Sequence, residues 1–205
     1  SEKTPAVGAK LVELFHSAGV PEEVLRLIIG GPETGKALAA HDGLDGLLFT
    51  GSARTGVALN RQFAERPGKI LALEMGGNNP IVVWDTADIA TAAILVVQSA
   101  FLSAGQRCSN ARRLIVKESV ADALLDEVKA LADRLIVDHP HADPAPYMGP
   151  VIDNDAADHL TESFLILMSN GGKVIRHMAR PFPGRPFLTP GIVDVTPLPE
   201  RPDIE

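Results

Sequence analysis

The sequence has 205 residues, with 19 Lys or Arg against 26 Asp or Glu, so the formal net charge is −7. Apolar residues make up 45% and aromatic residues 4%, an ordinary balance for a globular protein that buries a core. The acidic balance argues against a general nucleic-acid-binding protein, which needs clustered Lys and Arg.

The cysteine content and the apolar stretches bear on the compartment. The single cysteine, Cys108, cannot form an internal disulfide, and this favours a reducing compartment. Residues 1–10 contain no apolar segment typical of a signal peptide. The longest apolar stretch, 89–102, contains polar residues and is too short to cross a bilayer. We therefore expect a soluble, cytoplasmic protein with no membrane partner.

Short apolar runs alternate with helical patterns in the first part of the chain. The apolar runs predict strands at 25–29, 47–50, 70–73 and 81–83. The helical patterns predict helices at 6–18, 34–40 and 55–65. Strands that alternate with helices indicate a parallel sheet covered on both faces.

Longer helices and Pro-rich loops follow a composition change at Gly76-Gly77, where we place a domain border. The helix at 88–104 is apolar on nearly all sides, so we expect it to be buried and to end at Gly105. Ser119 and Asp122 resemble a capping box that begins the next helix. The remaining pattern predicts strands at 113–117, 173–176 and 192–195, a helix at 156–169, and loops at 139–150 and 181–190.

Two Gly-rich turns each follow a predicted strand and open a helix. The first contains Gly51, Ser52, Ala53, Arg54, Thr55 and Gly56, and the second contains Gly31 and Gly35. Free N–H groups and the helix dipole at such a turn suit a dinucleotide pyrophosphate. The spacing differs from the G-x-G-x-x-G fingerprint, and plain tight turns are the alternative.

Two residues carry candidate chemistry. Cys108 is either a small buried apolar residue or a nucleophile whose thiolate is favoured by Arg107, with Arg112 and Arg113 near in sequence. Glu74 ends a predicted strand at a Gly-rich turn, so it is either a solvated or ion-paired acid or a general base. His139 and His141 have no ligand cluster around them at metal spacing, and we predict no metal site.

Six short motifs follow one another along the chain: SEKTP at 1–5, FTGS at 49–52, LEMGGNNP at 73–80, GQRC at 105–108, MGP at 148–150 and TP at 189–190. Together and in this order, they resemble the aldehyde dehydrogenase superfamily over essentially the whole chain. Most of the superfamily has Lys where this chain has Asn78. This variant of the motif is similar to that of the family members that act in bacterial arginine degradation.

The resemblance implies an α/β fold. It assigns the C-terminal half of a Rossmann-type cofactor domain to residues 1–75 and most of the α/β catalytic domain to 76–205, truncated at its C-terminus. The family chain is more than twice as long, so the missing parts include an oxyanion Asn and the segments that form oligomers. We expect a homo-oligomer of the full-length protein and no turnover by the 205-residue chain alone.

The resemblance also implies roles for single residues. Cys108 matches the catalytic nucleophile and Glu74 the general base. The turn of Gly51, Ser52 and Gly56, and the turn of Gly31 and Gly35, match the segments that line the cofactor. Glu2 matches an acid on the adenosine ribose, which favours NAD over NADP. Glu205 is a candidate for the glutamate on the nicotinamide ribose.

The implied reaction is NAD-dependent oxidation of a carboxylated aldehyde, N-succinylglutamate 5-semialdehyde, through a Cys108 thiohemiacetal and thioester. Glutamate semialdehyde and succinate semialdehyde are alternative substrates. Arg107, Arg112 and Arg113 suit any of these carboxylates, or they form ion pairs at the strand end. A non-catalytic relative is the alternative from another class.

Overall fold

The structure is a computed structural model that describes residues 2–198. The chain divides into two compact units, Ser1–Gly76 and Gly77–Glu205. The division falls between Gly76 and Gly77. No helix within residues 2–198 has the length and apolar character needed to cross a membrane.

The first unit contains one parallel strand pair with helices around it. Its elements are α1 (Pro5–Ser17), α2 (Pro32–Ala40), β1 (Gly46–Gly51), α3 (Ala53–Phe63) and β2 (Ile70–Met75). β1 and β2 pair in register from Gly46 opposite Ile70 to Gly51 opposite Met75. The predicted strand–helix–strand pattern at 47–73 is therefore confirmed.

The predicted strand at 25–29 is wrong. The segment has no assigned secondary structure and no ladder partner among the described residues, and a strand exists only through hydrogen bonds to a neighbour. The prediction of a sheet covered on both faces is also wrong for the described chain, because Leu48 is 85% exposed and Ile70 is 70% exposed.

The second unit begins with a second parallel pair. Its elements are β3 (Asn79–Val83), α4 (Ile89–Phe101), a 3₁₀ turn (Leu102–Gly105), β4 (Ala111–Val116), α5 (Glu118–Asp133), α6 (Asn154–Ser169), β5 (Lys173–Arg176) and β6 (Ile192–Asp194). β3 pairs with β4 in parallel, as the crossover through α4 requires. β5 and β6 pair antiparallel, an orientation that the sequence pattern did not indicate.

The core of the second unit lies between α4 and α5. Ala93, Val96 and Val97 of α4 pack with Leu124 and Val128 of α5. The predicted apolar face of α5 is confirmed by these contacts. Burial of each large side chain at such a site stabilises the fold by about 1.5–3 kcal/mol.

Two details of the helices differ from the prediction. α4 ends at Phe101, three residues early, because Ser103 and Ala104 adopt positive φ before Gly105. α4 is also buried on one face only, since Leu95 is 55% exposed. The capping box is wrong, because α5 begins at Glu118 and places Ser119 inside its first turn.

Ion pairs fasten the C-terminal strands to α5. The Arg176 guanidinium donates through Nε to Asp133 Oδ1 at 2.8 Å and through Nη1 to the Pro190 carbonyl. Hydrogen bonds from Lys129 and then Arg176 hold the pKa of Asp133 below its ordinary value. The carboxylate is therefore charged at neutral pH, and the ion pair is lost as the pH falls into the acid range.

Substitution Leu124→Ala tests the core between α4 and α5. Leu124 is fully buried, so we expect the free energy of unfolding to fall by about 2–5 kcal/mol. The same change at Leu165, which is 55% exposed on α6, should alter the free energy by no more than about 0.5 kcal/mol. Urea denaturation of both variants, followed by circular dichroism, measures the difference. Equal losses in the two variants would contradict this assignment of the core.

Candidate active site

The first Gly-rich turn forms the N-terminus of α3. β1 ends at Gly51, Ser52 is the N-cap, and Ala53, Arg54 and Thr55 are the first helical residues. The Ser52 hydroxyl accepts a hydrogen bond from the Thr55 N–H at 3.3 Å. Residues 52–55 are exposed, so the positive end of the helix dipole faces open space, and the turn fits a pyrophosphate group.

Strand register brings Glu74 to the same edge of the sheet as this turn. Thr50 lies opposite Glu74, and Gly51 lies opposite Met75. The carboxyl ends of the two strands therefore coincide, and Glu74 is exposed there. The candidate general base and the candidate cofactor turn are neighbours within the first unit.

Gly56 permits close packing of α3 on β2. A Cβ atom at this position would lie 2.4 Å from Met75 Sδ, and Gly56 itself is buried. This is the role of a glycine at a close approach between helix and strand. Because Gly56 has no side chain, the start of α3 can pack directly against the end of β2.

The second turn and Glu2 lie in the same unit. Gly31 is the N-cap of α2, and Gly35 lies in its first turns; a Cβ atom at either would meet open space. Glu2 and Gly30 line one cleft together with Thr4, Pro5, Gly8, Leu27, Ile28 and Ile29. Of the residues singled out from the sequence, Ser1 and Glu205 lie outside the described residues.

Cys108 lies in the second unit, between the 3₁₀ turn and β4, and its thiol is exposed. The alternative that it is a small buried apolar residue is wrong. Its backbone N–H makes no hydrogen bond to any described residue. An exposed thiol beside an N–H that has no partner among the described residues is an arrangement that could hold an oxyanion on a carbonyl attacked by sulfur.

Residues 106–110 form the Cys108 loop, which is held by three polar side chains whose roles the sequence did not indicate. Asn110 is 4% exposed; its Oδ1 accepts the Arg107 N–H at 2.7 Å, and its Nδ2 donates to the Ser99 carbonyl at 2.6 Å. Gln106 Oε1 accepts the N–H of Ile152 at 2.8 Å. Asn79 Nδ2 donates to the Cys108 carbonyl at 2.5 Å. Gln106 and Asn110 lie within or beside the GQRC motif and Asn79 lies in the LEMGGNNP motif, so amide side chains in these two motifs were the available signal.

The three arginines near Cys108 differ in their contacts. Arg113 donates to the Asn78 carbonyl through Nε at 3.0 Å and Nη2 at 2.8 Å, and Arg112 donates to the Gly105 carbonyl at 3.4 Å. The Arg107 guanidinium has no partner in the described part of the chain. None of the three forms an ion pair with a described carboxylate, so the ion-pair alternative is wrong there.

The described residues contain no group of three or more His, Cys, Asp or Glu placed to hold a metal ion. His139 and His141 contact each other, with ring centroids 5.5 Å apart.

Comparison with known proteins identifies the family. The profile of the aldehyde dehydrogenase family matches residues 1–198. The chain belongs to this family. It is 84% identical over 205 residues to N-succinylglutamate 5-semialdehyde dehydrogenase of Sphingopyxis alaskensis and covers 43% of that protein. It is 63% identical to the protein of the same name from Novosphingobium aromaticivorans and covers 44% of it.

A solved aldehyde dehydrogenase structure has the same fold. A crystal structure of proline utilization A from Bradyrhizobium japonicum matches 94% of this chain at 37% identity and a TM-score of 0.85, and the chain covers 20% of that protein. The α/β aldehyde dehydrogenase fold is therefore confirmed. Dehydrogenases of this family generally use NAD or NADP. The chain spans less than half the length of the curated relatives that it matches.

Substitution Gly56→Ala tests whether close packing positions the cofactor turn. The added methyl group must displace Met75 or lift α3, and overpacking of this kind costs roughly 1–3 kcal/mol. We expect the full-length protein to bind its NAD or NADP cofactor more weakly, as measured by isothermal titration calorimetry. Gly68→Ala is the matched control, since a Cβ atom at Gly68 meets nothing within 4 Å. An unchanged affinity for the cofactor in Gly56→Ala would contradict this role of Gly56.

Proposed function

We propose that this chain supplies the catalytic centre of an NAD-dependent dehydrogenase whose full length is that of the curated relatives. The enzyme oxidises N-succinyl-L-glutamate 5-semialdehyde to N-succinyl-L-glutamate in arginine catabolism. The observation that carries the proposal is the exposed Cys108 thiol, whose backbone N–H has no hydrogen-bond partner within residues 2–198. The 84% identity over the whole chain supports the choice of substrate.

Catalysis begins at sulfur. The Cys108 thiolate attacks the aldehyde carbon, a C–S bond forms, and the carbonyl electron pair moves to oxygen. The unpaired Cys108 N–H is suited to stabilise this oxyanion.

The cofactor residues present in the first unit fit a dinucleotide. Gly51, Ser52, Ala53, Arg54, Thr55 and Gly56 would hold the pyrophosphate, Gly31 and Gly35 would line the cofactor, and Glu2 would contact the adenosine ribose. When bound, NAD supplies the hydride acceptor for the thiohemiacetal carbon. A carboxylate at Glu2 repels a 2′-phosphate, which supports NAD over NADP.

Glu74 completes the cycle by taking a proton from water. The hydroxide attacks the thioester carbon, the C–S bond breaks, and the Cys108 thiolate leaves with the electron pair. The products are a carboxylate, the reduced cofactor and two protons. Exposure of Glu74 at the strand end leaves its carboxylate open to a water molecule.

The substrate is a carboxylated aldehyde, and Arg107 is the arginine near Cys108 with a guanidinium available to bind its carboxylate. Glutamate semialdehyde and succinate semialdehyde remain candidate substrates of the same chemistry. We also propose a homo-oligomer in the cytoplasm that binds neither nucleic acid nor membrane.

Steady-state kinetics of the full-length protein test the substrate. We expect kcat/KM for N-succinylglutamate 5-semialdehyde to exceed that for glutamate semialdehyde and succinate semialdehyde by about 10²-fold or more, because specificity is a difference in transition-state binding. A higher kcat/KM for either smaller aldehyde would replace the proposed substrate.

Substitution Glu74→Gln tests the general base. We expect the variant to release about one NADH per active site in a fast burst and then to turn over roughly 10²–10⁴-fold more slowly than the unsubstituted enzyme, since loss of the base slows thioester hydrolysis. Stopped-flow absorbance at 340 nm measures both phases. Glu65→Gln, an exposed acid of the same unit, is the control. Normal steady-state turnover in Glu74→Gln would exclude the assigned role.

The alternative of a non-catalytic relative makes a different prediction. Such a protein would bind NAD or the aldehyde without producing NADH, and Cys108→Ser would leave its binding unchanged. The proposed enzyme loses aldehyde oxidation in Cys108→Ser.

A further inference from the structure

Asn79 occupies an irregular point of the β3–β4 pair. Asn79 lies opposite Ala111, but Pro80 lies opposite Arg113, so Arg112 is an extra residue on β4. Pro80 has no N–H to donate to the ladder, and bulges of this type bend a strand next to functional sites. Regular backbone pairing therefore ends where β4 leads back to the Cys108 loop.

The Asn79 side chain continues the pairing beyond the bulge. Its Nδ2 donates to the Cys108 carbonyl at 2.5 Å and to the Asn110 carbonyl at 3.1 Å. Both N–H groups of one carboxamide are thus used on the loop that carries the thiol. An amide nitrogen has two donors, so neither is left over.

The backbone on the two sides of the Cys108 side chain is fixed by different asparagines. Asn110 accepts the N–H of Arg107 before the thiol, whereas Asn79 binds the carbonyl of Cys108 after it. Asn110 is itself anchored to the end of α4 through the Ser99 carbonyl. Asn79 supplies the only hydrogen bond from a described side chain to the Cys108 carbonyl.

We propose that Asn79 is a positioning residue for the nucleophile. By holding the Cys108 carbonyl, it fixes the direction of the thiol and of the free Cys108 N–H. The inference rests on the proposed function, and it adds to that function a residue outside the Cys–Glu pair. A displacement of about 1 Å in a reacting group lowers a rate by about 10²-fold.

Two variants of the full-length protein remove the donors. Asn79→Asp keeps the shape but turns two donors into acceptors that face carbonyl oxygens, and Asn79→Ala deletes the group. Asn170→Asp and Asn170→Ala are matched controls, because Asn170 is exposed at the end of α6 and its side chain has no partner among residues 2–198.

Three measurements separate positioning from a merely structural role. They are the rate of Cys108 alkylation by iodoacetamide as a function of pH, kcat and KM with the semialdehyde and NAD, and the thermal midpoint. For both Asn79 variants we expect kcat to fall by about tenfold or more and alkylation at pH 7 to slow by roughly threefold or more. KM for NAD and both control variants should stay near the unsubstituted values.

A lower thermal midpoint with an unchanged alkylation profile and kcat would overturn the proposal, and so would no change in any of the three. If one Asn79 variant does not fold, the other decides the question by the same measurements. If the unsubstituted protein oxidises no aldehyde, the proposed function fails, while the alkylation profile still decides the role of Asn79.

Discussion

The hydrogen bonds of the buried Asn110 side chain are the constraint on which the geometry of the second unit's site depends. They join the Ser99 carbonyl, near the end of α4, to the N–H of Arg107 in the Cys108 loop. α4 is held in turn by its packing on α5. A buried amide left without partners costs about 1–3 kcal/mol, so the loop that displays Cys108 is fixed to the core although Cys108 itself is exposed.

In the first unit, the sheet places Glu74 and the start of α3 at one edge. Parallel pairing of β1 and β2 in register puts Glu74 beside the start of α3. Gly56 lets that helix approach Met75 closely. The first turn of α3 is exposed at this edge, and the N-terminus of a helix favours a negatively charged ligand.

Much of this could be predicted from the sequence because it is local. Apolar runs located β1 to β6, and the motifs around Cys108 and Glu74 located the candidate chemistry. The strand prediction for residues 25–29 failed, because an apolar run is typical of a strand but a strand also needs a neighbouring strand to pair with. The buried-helix prediction for α4 failed because hydrophobicity on all sides does not say which sides are covered. Asn79 and Asn110 were missed, because their roles depend on contacts between residues up to 31 positions apart.

Covalent trapping tests the central claim most directly, that Cys108 carries the acyl group which Glu74 releases. The full-length Glu74→Gln protein is mixed with N-succinylglutamate 5-semialdehyde and NAD, quenched in acid, digested, and analysed by tandem mass spectrometry. We expect the mass of an N-succinylglutamyl thioester on the peptide that contains Cys108. Production of NADH with an unmodified Cys108 peptide, or with the acyl group on another residue, would contradict it.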